Sequence, residues 1–175
     1  MCRFLALLLA LATALPAQAN SHWPQPTDTI IPTTEGLLRL NAEGVPHDPM
    51  LFGTGFEAVM HTLIPVFGWD APYEISFPSE CGAGPMVSVH FPGRIQLMFQ
   101  DDVLAGWMLI RDAGLVTDTG FAVGSPISAL SAEGPVSTFE TGLGTEFQAG
   151  ETYGLLTEDG TRVEGLWTGT TCIFR

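Results

Sequence analysis

The sequence contains no lysine, and its six basic residues are outnumbered by 19 Asp and Glu. The formal net charge is −13 with neutral histidines. A field of that sign repels phosphate backbones and anionic lipid head groups, so nucleic-acid binding is not expected. The carboxylates are spread along the chain among apolar residues, which is typical of a solvated surface and not of a disordered acidic tail. The alternative interpretation is that the negative charge attracts a basic partner.

Long apolar runs are also lacking. The most apolar segment is residues 4–15. A transmembrane helix needs about 20 apolar residues, so no membrane insertion is expected. Arg3 precedes this run, and the small-residue pattern at residues 17–19 follows it. The arrangement predicts a signal peptide over residues 1–19, and hence an exported protein, periplasmic or extracellular. A buried N-terminal helix is the alternative.

Cysteine is scarce. Of three cysteines, Cys2 lies in the predicted signal peptide, which leaves Cys81 and Cys172. An oxidising compartment favours a disulfide between these two. A bridge closing so long a loop stabilises by about 4–5 kcal/mol in the chain-entropy model. A free nucleophilic thiol is the alternative.

Familiar catalytic signatures are missing. The sequence has no G-x-S-x-G elbow, no Walker A loop, no H-E-x-x-H and no C-x-x-C. His47 with His61 or His90 would be the candidate for a metal site, but their spacing is typical of scattered histidines. We therefore expect no catalytic residues, no metal and no cofactor. A pair of carboxylates meeting across a cleft, as in glycoside hydrolysis, stays open as an alternative.

The remaining chain has a mostly β pattern. Residues 20–36 contain Pro24, Pro26 and Pro32 without periodicity, which favours an extended leader. Residues 37–175 then form one predicted α+β domain. Strands are predicted at residues 37–40, 86–91, 94–100, 103–111, 136–139, 145–148, 151–157, 161–168 and 171–174.

Two short helices interrupt this pattern. Thr54 and Glu57 form a capping-box pattern that predicts the start of the first helix, which Pro65 and Gly68 would end. Ser125 followed by Pro126 predicts the N-cap and first residue of a second helix, extending to about residue 131.

The two helices begin two similar stretches, residues 50–115 and 120–175. Residues 52–54 (Phe-Gly-Thr) parallel residues 123–125 (Val-Gly-Ser). The hairpin turn at residues 101–102 (Asp-Asp) parallels the turn at residues 159–160 (Asp-Gly), and a tryptophan follows each. The pattern predicts an internal repeat, each unit a helix followed by an antiparallel sheet. Chance similarity between two ordinary hairpins is the alternative.

This order of helix start, cysteine-bearing strand and hairpin with an acidic turn, given twice, resembles the tandem-repeat fold of β-lactamase inhibitor proteins and of similar bacterial secreted proteins. The resemblance covers residues 50–175. Inhibitors of that family usually carry a disulfide within each repeat, whereas this chain has one cysteine in each half. The resemblance implies a sheet whose open face binds another protein.

Hairpin register provides the candidate binding residues. A two-residue turn at residues 101–102 directs Leu97 and Phe99 to the core and sends Met98 and Trp107 to the opposite, otherwise polar face. Large amphipathic side chains on an exposed face are typical anchors for a protein partner, so Met98 and Trp107 are the predicted partner-binding residues. The alternative is that the leader or a helix covers this face.

The sequence therefore favours an exported, non-catalytic protein-binding module, with inhibitor-like binding as one form of that function. The expected partner is another extracytoplasmic protein. A small-ligand-binding β protein and a hydrolase with a dispersed acidic site are the other two hypotheses.

Overall fold

A computed structural model describes residues 24–111 and 113–173. The predicted signal peptide and its cleavage site lie outside the described residues. Within these residues, eleven strands and two helices follow one another. The elements are β1 (Thr29–Thr33), β2 (Gly36–Leu40), β3 (Pro46–Leu51), α1 (Phe56–Phe67), β4 (Glu74–Ser76), β5 (Val87–Phe91), β6 (Ile95–Gln100), β7 (Val103–Ile110), α2 (Ile127–Glu133), β8 (Val136–Thr141), β9 (Gly144–Ala149), β10 (Thr152–Leu156) and β11 (Val163–Gly169). The mostly β, antiparallel character predicted from the sequence is confirmed.

The strands form two antiparallel sheets. The small sheet has the order β1-β2-β3, and the large sheet has the order β4-β5-β6-β7-β11-β10-β9-β8. The large sheet is open, with β4 and β8 at its edges. Strands β4 to β7 follow α1 and strands β8 to β11 follow α2, so the two halves of the chain meet where β7 pairs with β11.

Similar backbone hydrogen bonds tie each helix start to the hairpin of its own half. In the first half, the amide of Gly53 donates to Leu104, that of Leu104 to Thr54, and that of Phe56 to Asp102. In the second half, the amide of Gly124 donates to Val163, that of Val163 to Ser125, and that of Ile127 to Thr161. Each helix is thereby fixed against the strand that follows its hairpin turn.

The predicted leader is not simply extended, since residues 29–33 are strand β1 of the small sheet. The prolines in this segment are the reason that the strand was not predicted. Proline cannot donate to a strand ladder and is therefore confined largely to edge strands and strand ends. Both outer strands of the small sheet fit this rule, because β1 contains Pro32 and β3 contains Pro46 and Pro49.

The helix starts differ from the predicted caps. Gly55 is the N-cap of α1 and Pro126 that of α2, and neither helix has a side-chain cap. The carbonyl of Thr54 and the carbonyl of Ser125 each accept a hydrogen bond from a strand instead, so both residues are strand-like. Pro65 lies inside α1, which ends at Phe67 with Gly68 as its C-cap. No helix in the described part of the chain is long and apolar enough to cross a membrane.

The β6–β7 turn has the predicted length. Asp101 and Asp102 have φ of 52° and 64°, the left-handed conformation of both central residues in a type I′ turn. Gln100 pairs with Val103 across this turn, as predicted. Phe99 accordingly points into the core, where it is 1% exposed.

A β-bulge in β7 changes the register beyond that point. Met98 pairs with Gly106 and Leu97 with Trp107, which leaves Ala105 as the extra residue. A one-residue shift moves every later side chain to the other face. Trp107 therefore lies beside Leu97 on the core side, and the prediction that it shares a face with Met98 is wrong.

A residue from the other half of the chain stabilises this bulge. The amide of Thr170 donates a 2.8 Å hydrogen bond to the carbonyl of Ala105. Gly106 lies so close to the strand beyond that an added Cβ would be 2.8 Å from the carbonyl oxygen of Thr168. Only glycine fits at residue 106, and the bulge is part of the contact between the two halves.

The main core lies on one face of the large sheet, covered by α1, α2 and the small sheet. Its largest side chains are fully buried, and each stabilises the fold by about 1.5–3 kcal/mol on removal from water. They include Leu63, Phe91, Leu97, Phe99, Trp107 and Phe147.

Candidate functional site

The predicted partner-binding residues present no surface to a partner. Met98 and Trp107 are each 1% exposed. Trp107 is part of the main core, and its indole Nε1 donates a 2.8 Å hydrogen bond to the carbonyl of Thr33. The expectation of an open face at these two residues is therefore wrong.

Met98 does lie opposite the main core, but a second apolar cluster encloses it. This cluster consists of Met86, Met98, Met108 and Trp167. Cys81, Cys172 and Ile173 pack against it. Residues 171–173 are not the predicted last strand; they cover this face instead.

Cys81 and Cys172 meet at the edge of the second cluster. Both are thiols in this structure, and Cys81 lies close enough to affect the Cys172 thiol. Burial is the main cause that raises the pKa of the Cys172 thiol to about 11, and hydrogen bonding to Cys81 and the charge of Cys81 add to it. The sulfur of Cys81 also lies 3.4 Å from the sulfur of Met86. The two cysteines are thus neighbours in the fold, and the disulfide between them stays a prediction.

The exposed apolar surface lies at the β4 edge instead. Tyr73, Ile75 and Phe77, which we call the edge strip, are 43%, 45% and 73% exposed. Ile75 pairs with buried Val89, and the ring of Tyr73 lies 5.5 Å from that of Phe91. The edge strip therefore continues the core face of the sheet beyond the part that is covered. Trp69, 76% exposed, precedes it.

A groove of about 440 Å³ begins at the end of the edge strip. Its apolar lining, which includes one end of the strip, is Phe77, Pro78, Pro85, Met86, Val87 and Phe99. Ser79 and the carboxyl-bearing turn residues Asp101 and Asp102 complete it. We call this set the edge groove.

The two acidic residues of the edge groove are exposed, and their carboxylates are free of hydrogen bonds and ion pairs within the described residues. The corresponding turn of the second half is different. There the Asp159 carboxylate accepts hydrogen bonds from the Thr157 hydroxyl at 2.6 Å and the Thr161 amide at 3.0 Å, which lower its pKa to about 2. The Asp159 carboxylate therefore stabilises its own turn. The carboxylates of Asp101 and Asp102 have no such role and can contact a bound molecule.

Residues 77–86, which form the wall of the edge groove, contact two other parts of the structure. The Gln100 side-chain amide donates a 2.6 Å hydrogen bond to the carbonyl of Ala83. Cys81 contacts Met86 and Cys172, as described above. The wall is therefore attached both to the β6–β7 hairpin and to the C-terminal segment.

Two further cavities of the described structure are smaller than the edge groove. One, of about 290 Å³, lies between β1 and the end of α1; the other, of about 200 Å³, lies beside Trp167 on the second face. Across residues 24–111 and 113–173, no three His, Cys, Asp or Glu side chains are grouped to hold a metal ion.

Comparison of the chain with protein-family models, with curated proteins and with solved structures returned no match.

The edge strip was not predicted from the sequence. Its signal is an alternation of large apolar residues at 73, 75 and 77 with Glu74 and Ser76. The segment is only a three-residue strand with a proline at each end of the apolar alternation, at 72 and 78. The edge groove has no sequence signal, because it depends on how residues 77–87 fold against the β6–β7 hairpin.

Proposed function

We propose that this protein is an exported protein-binding module whose partner contacts the edge strip and the edge groove. The observation that carries the proposal is the exposure of Tyr73, Ile75 and Phe77 in one row at a sheet edge. Contiguous apolar surface on a soluble domain is characteristic of interaction sites, and aromatic residues are enriched at the centres of such sites.

The position of the row supports a particular way of binding. Strand β4 is an edge strand, and its only strand neighbour in the described structure is β5. An extended segment that pairs with a free edge gains main-chain hydrogen bonds, and alternate side chains of the sheet provide specificity. Ile75 would provide that specificity on the strand, with Tyr73 and Phe77 on either side of it.

The proposal includes two related units, each a helix followed by four strands. The recurrence of the same backbone hydrogen bonds at Gly53–Phe56 and at Gly124–Ile127 supports it. The order of the large sheet, with the second half reversed relative to the first, is what two equivalent units joined at β7 and β11 would give. The resemblance to β-lactamase inhibitor proteins is part of this proposal, with the partner contact moved to the sheet edge.

Export and a Cys81–Cys172 bridge also belong to the proposal. The sequence pattern of residues 1–19 supports export. The proximity of the two thiols, which pack against the same apolar cluster, supports the bridge, because a disulfide requires cysteines that are close together in the fold.

The experiment compares capture of extracytoplasmic proteins by three forms of the purified protein. These are the wild type, the double variant Ile75→Ser/Phe77→Ser, and the control Phe139→Ser. Phe139 is 39% exposed on β8, the opposite edge of the same sheet. We expect a partner that binds the wild type and Phe139→Ser but is lost from the double variant.

All three forms must first show the same cooperative unfolding, which is expected because exposed side chains contribute little to stability. A partner that the double variant retains would contradict binding at the edge strip.

A further inference from the structure

We infer that the partner presents an extended segment in which a large apolar side chain stands next to Lys or Arg. This inference rests on the proposed function and identifies the chemistry that the edge groove recognises. The apolar side chain enters the groove beside Phe77, and the cation pairs with the carboxylates of Asp101 and Asp102.

The size and lining of the groove define the apolar part. Its volume of about 440 Å³ lies in the range of about 300–1,000 Å³ that is usual for binding pockets. Phe99 forms part of the floor and is 1% exposed, with its ring held 4.8 Å from that of Phe56. A side chain placed there loses water on several sides against a rigid aromatic surface, which is where binding energy concentrates.

The charge of the groove defines the polar part. Among the described residues that line it, Asp101 and Asp102 are the charged ones, and none is an arginine. Both carboxylates are exposed and have no described ion pair, so a cation next to the groove meets two acceptors. Charge-assisted hydrogen bonds to carboxylates are stronger than neutral ones. An acidic segment would meet repulsion instead.

The same charge argues against a second copy of this chain as the occupant. Two molecules of net charge −13 repel each other, and a contact between like copies would bring further carboxylates toward Asp101. A basic protein, by contrast, is steered toward this surface at low ionic strength.

The turn allows the charge to be removed without disturbing the backbone. Asp101 and Asp102 both have positive φ, a conformation that asparagine adopts as readily as aspartate. The variant Asp101→Asn/Asp102→Asn therefore keeps the turn and the shape of the groove while it removes both charges.

The test is selection from a library of short random peptides by the immobilised full mature protein, followed by affinity measurement on individual synthetic peptides. We expect enriched peptides to carry Lys or Arg next to Phe, Leu, Ile or Trp. Their affinity should fall about three- to tenfold in Asp101→Asn/Asp102→Asn, and the loss should shrink as salt is raised. The control Phe139→Ser should leave their affinity unchanged.

The outcomes separate the two proposals. Enriched peptides that need Phe77 but lack a cation, or that bind the Asn variant equally well, would overturn the inference and leave the proposed function standing. Peptides that bind Phe77→Ser as well as the wild type would place the site elsewhere and contradict both. Failure to enrich any peptide would overturn the inference, while protein capture through the edge strip would still support the proposed function.

Discussion

The indole Nε1 of Trp107 donates a 2.8 Å hydrogen bond to the carbonyl oxygen of Thr33. Trp107 lies on the core face of β7, and Thr33 is the last residue of β1. The bond joins the large sheet to the small sheet in a place where both residues are buried. A side chain predicted to bind a partner therefore connects two layers of the fold.

Trp107→Ala should lower the free energy of unfolding by about 3–5 kcal/mol, as large-to-small core substitutions do. Trp107→Phe keeps most of the packing but leaves the Thr33 carbonyl without this donor, which costs about 1–3 kcal/mol. Chemical denaturation of both variants measures these values. A loss for Trp107→Ala below that of the phenylalanine variant would contradict the core position.

The β6–β7 turn should be improved by residues that prefer positive φ. Asp101→Asn/Asp102→Gly gives the dipeptide most favoured in type I′ turns, and we expect a gain of about 1 kcal/mol in the free energy of unfolding. At residues 159–160 the equivalent change is Asp159→Asn alone, because Gly160 is already present. We expect a smaller gain in the free energy of unfolding there, because Asp159 accepts hydrogen bonds from its own turn. Thermal unfolding of the two variants makes the comparison.

Protein taken from an oxidising compartment should contain the Cys81–Cys172 bridge. Non-reducing peptide mapping should show the linked pair, and Cys172→Ser should then cost about 2–5 kcal/mol of stability. The control is the same substitution measured in the presence of a reductant, where the cost should largely vanish. Two freely alkylated cysteines in the untreated protein would contradict this prediction.

The reduced protein should lose stability at alkaline pH. The pKa of the Cys172 thiol is raised from 9.0 to about 11, so the folded state holds this proton more firmly than the unfolded chain does. The stability that the protonated Cys172 thiol gives the folded state is fully present below pH 9 and is lost as the pH rises toward 11. Alkylation of Cys172 near pH 9 should be slow in the folded protein and ordinary in urea, whereas Cys81→Ser should accelerate it in the folded protein.

Export should remove residues 1–19. Intact-mass measurement of the exported protein should give a chain that begins at Asn20. Full-length protein recovered from the membrane fraction would contradict cleavage at this site.

The local pattern was sufficient for the central hairpin. Alternating apolar residues predicted β5, β6 and β7 to within about one residue at either end, and the turn at residues 101–102 has the expected length. The bulge at Ala105 was not predictable in the same way, because its carbonyl is bound by Thr170, a residue of the other half. The face of Trp107 depends on that distant contact.

The candidate site shows the same division. The acidic turn was recognised as a turn, since its chemistry is local. Its role in a groove depends on how residues 77–86 fold back over Val87 and Phe99, and no periodicity records that arrangement. Strands β1 and β3 were missed because their prolines are compatible with an outer strand but remove the usual strand signal.

The pairing of β7 with β11 has a consequence for how the molecule assembles. β11 is the last strand of the described residues, and it fills the position between β7 and β10. Until residues 163–169 dock, β7 has an open, apolar edge, and an open edge accepts a strand from any chain that offers the matching register. The second half of another copy offers it, over a connection of residues 111–126 between β7 and α2. We therefore expect refolding at high protein concentration to favour interlocked dimers that exchange their C-terminal halves and keep the strand order of the monomer.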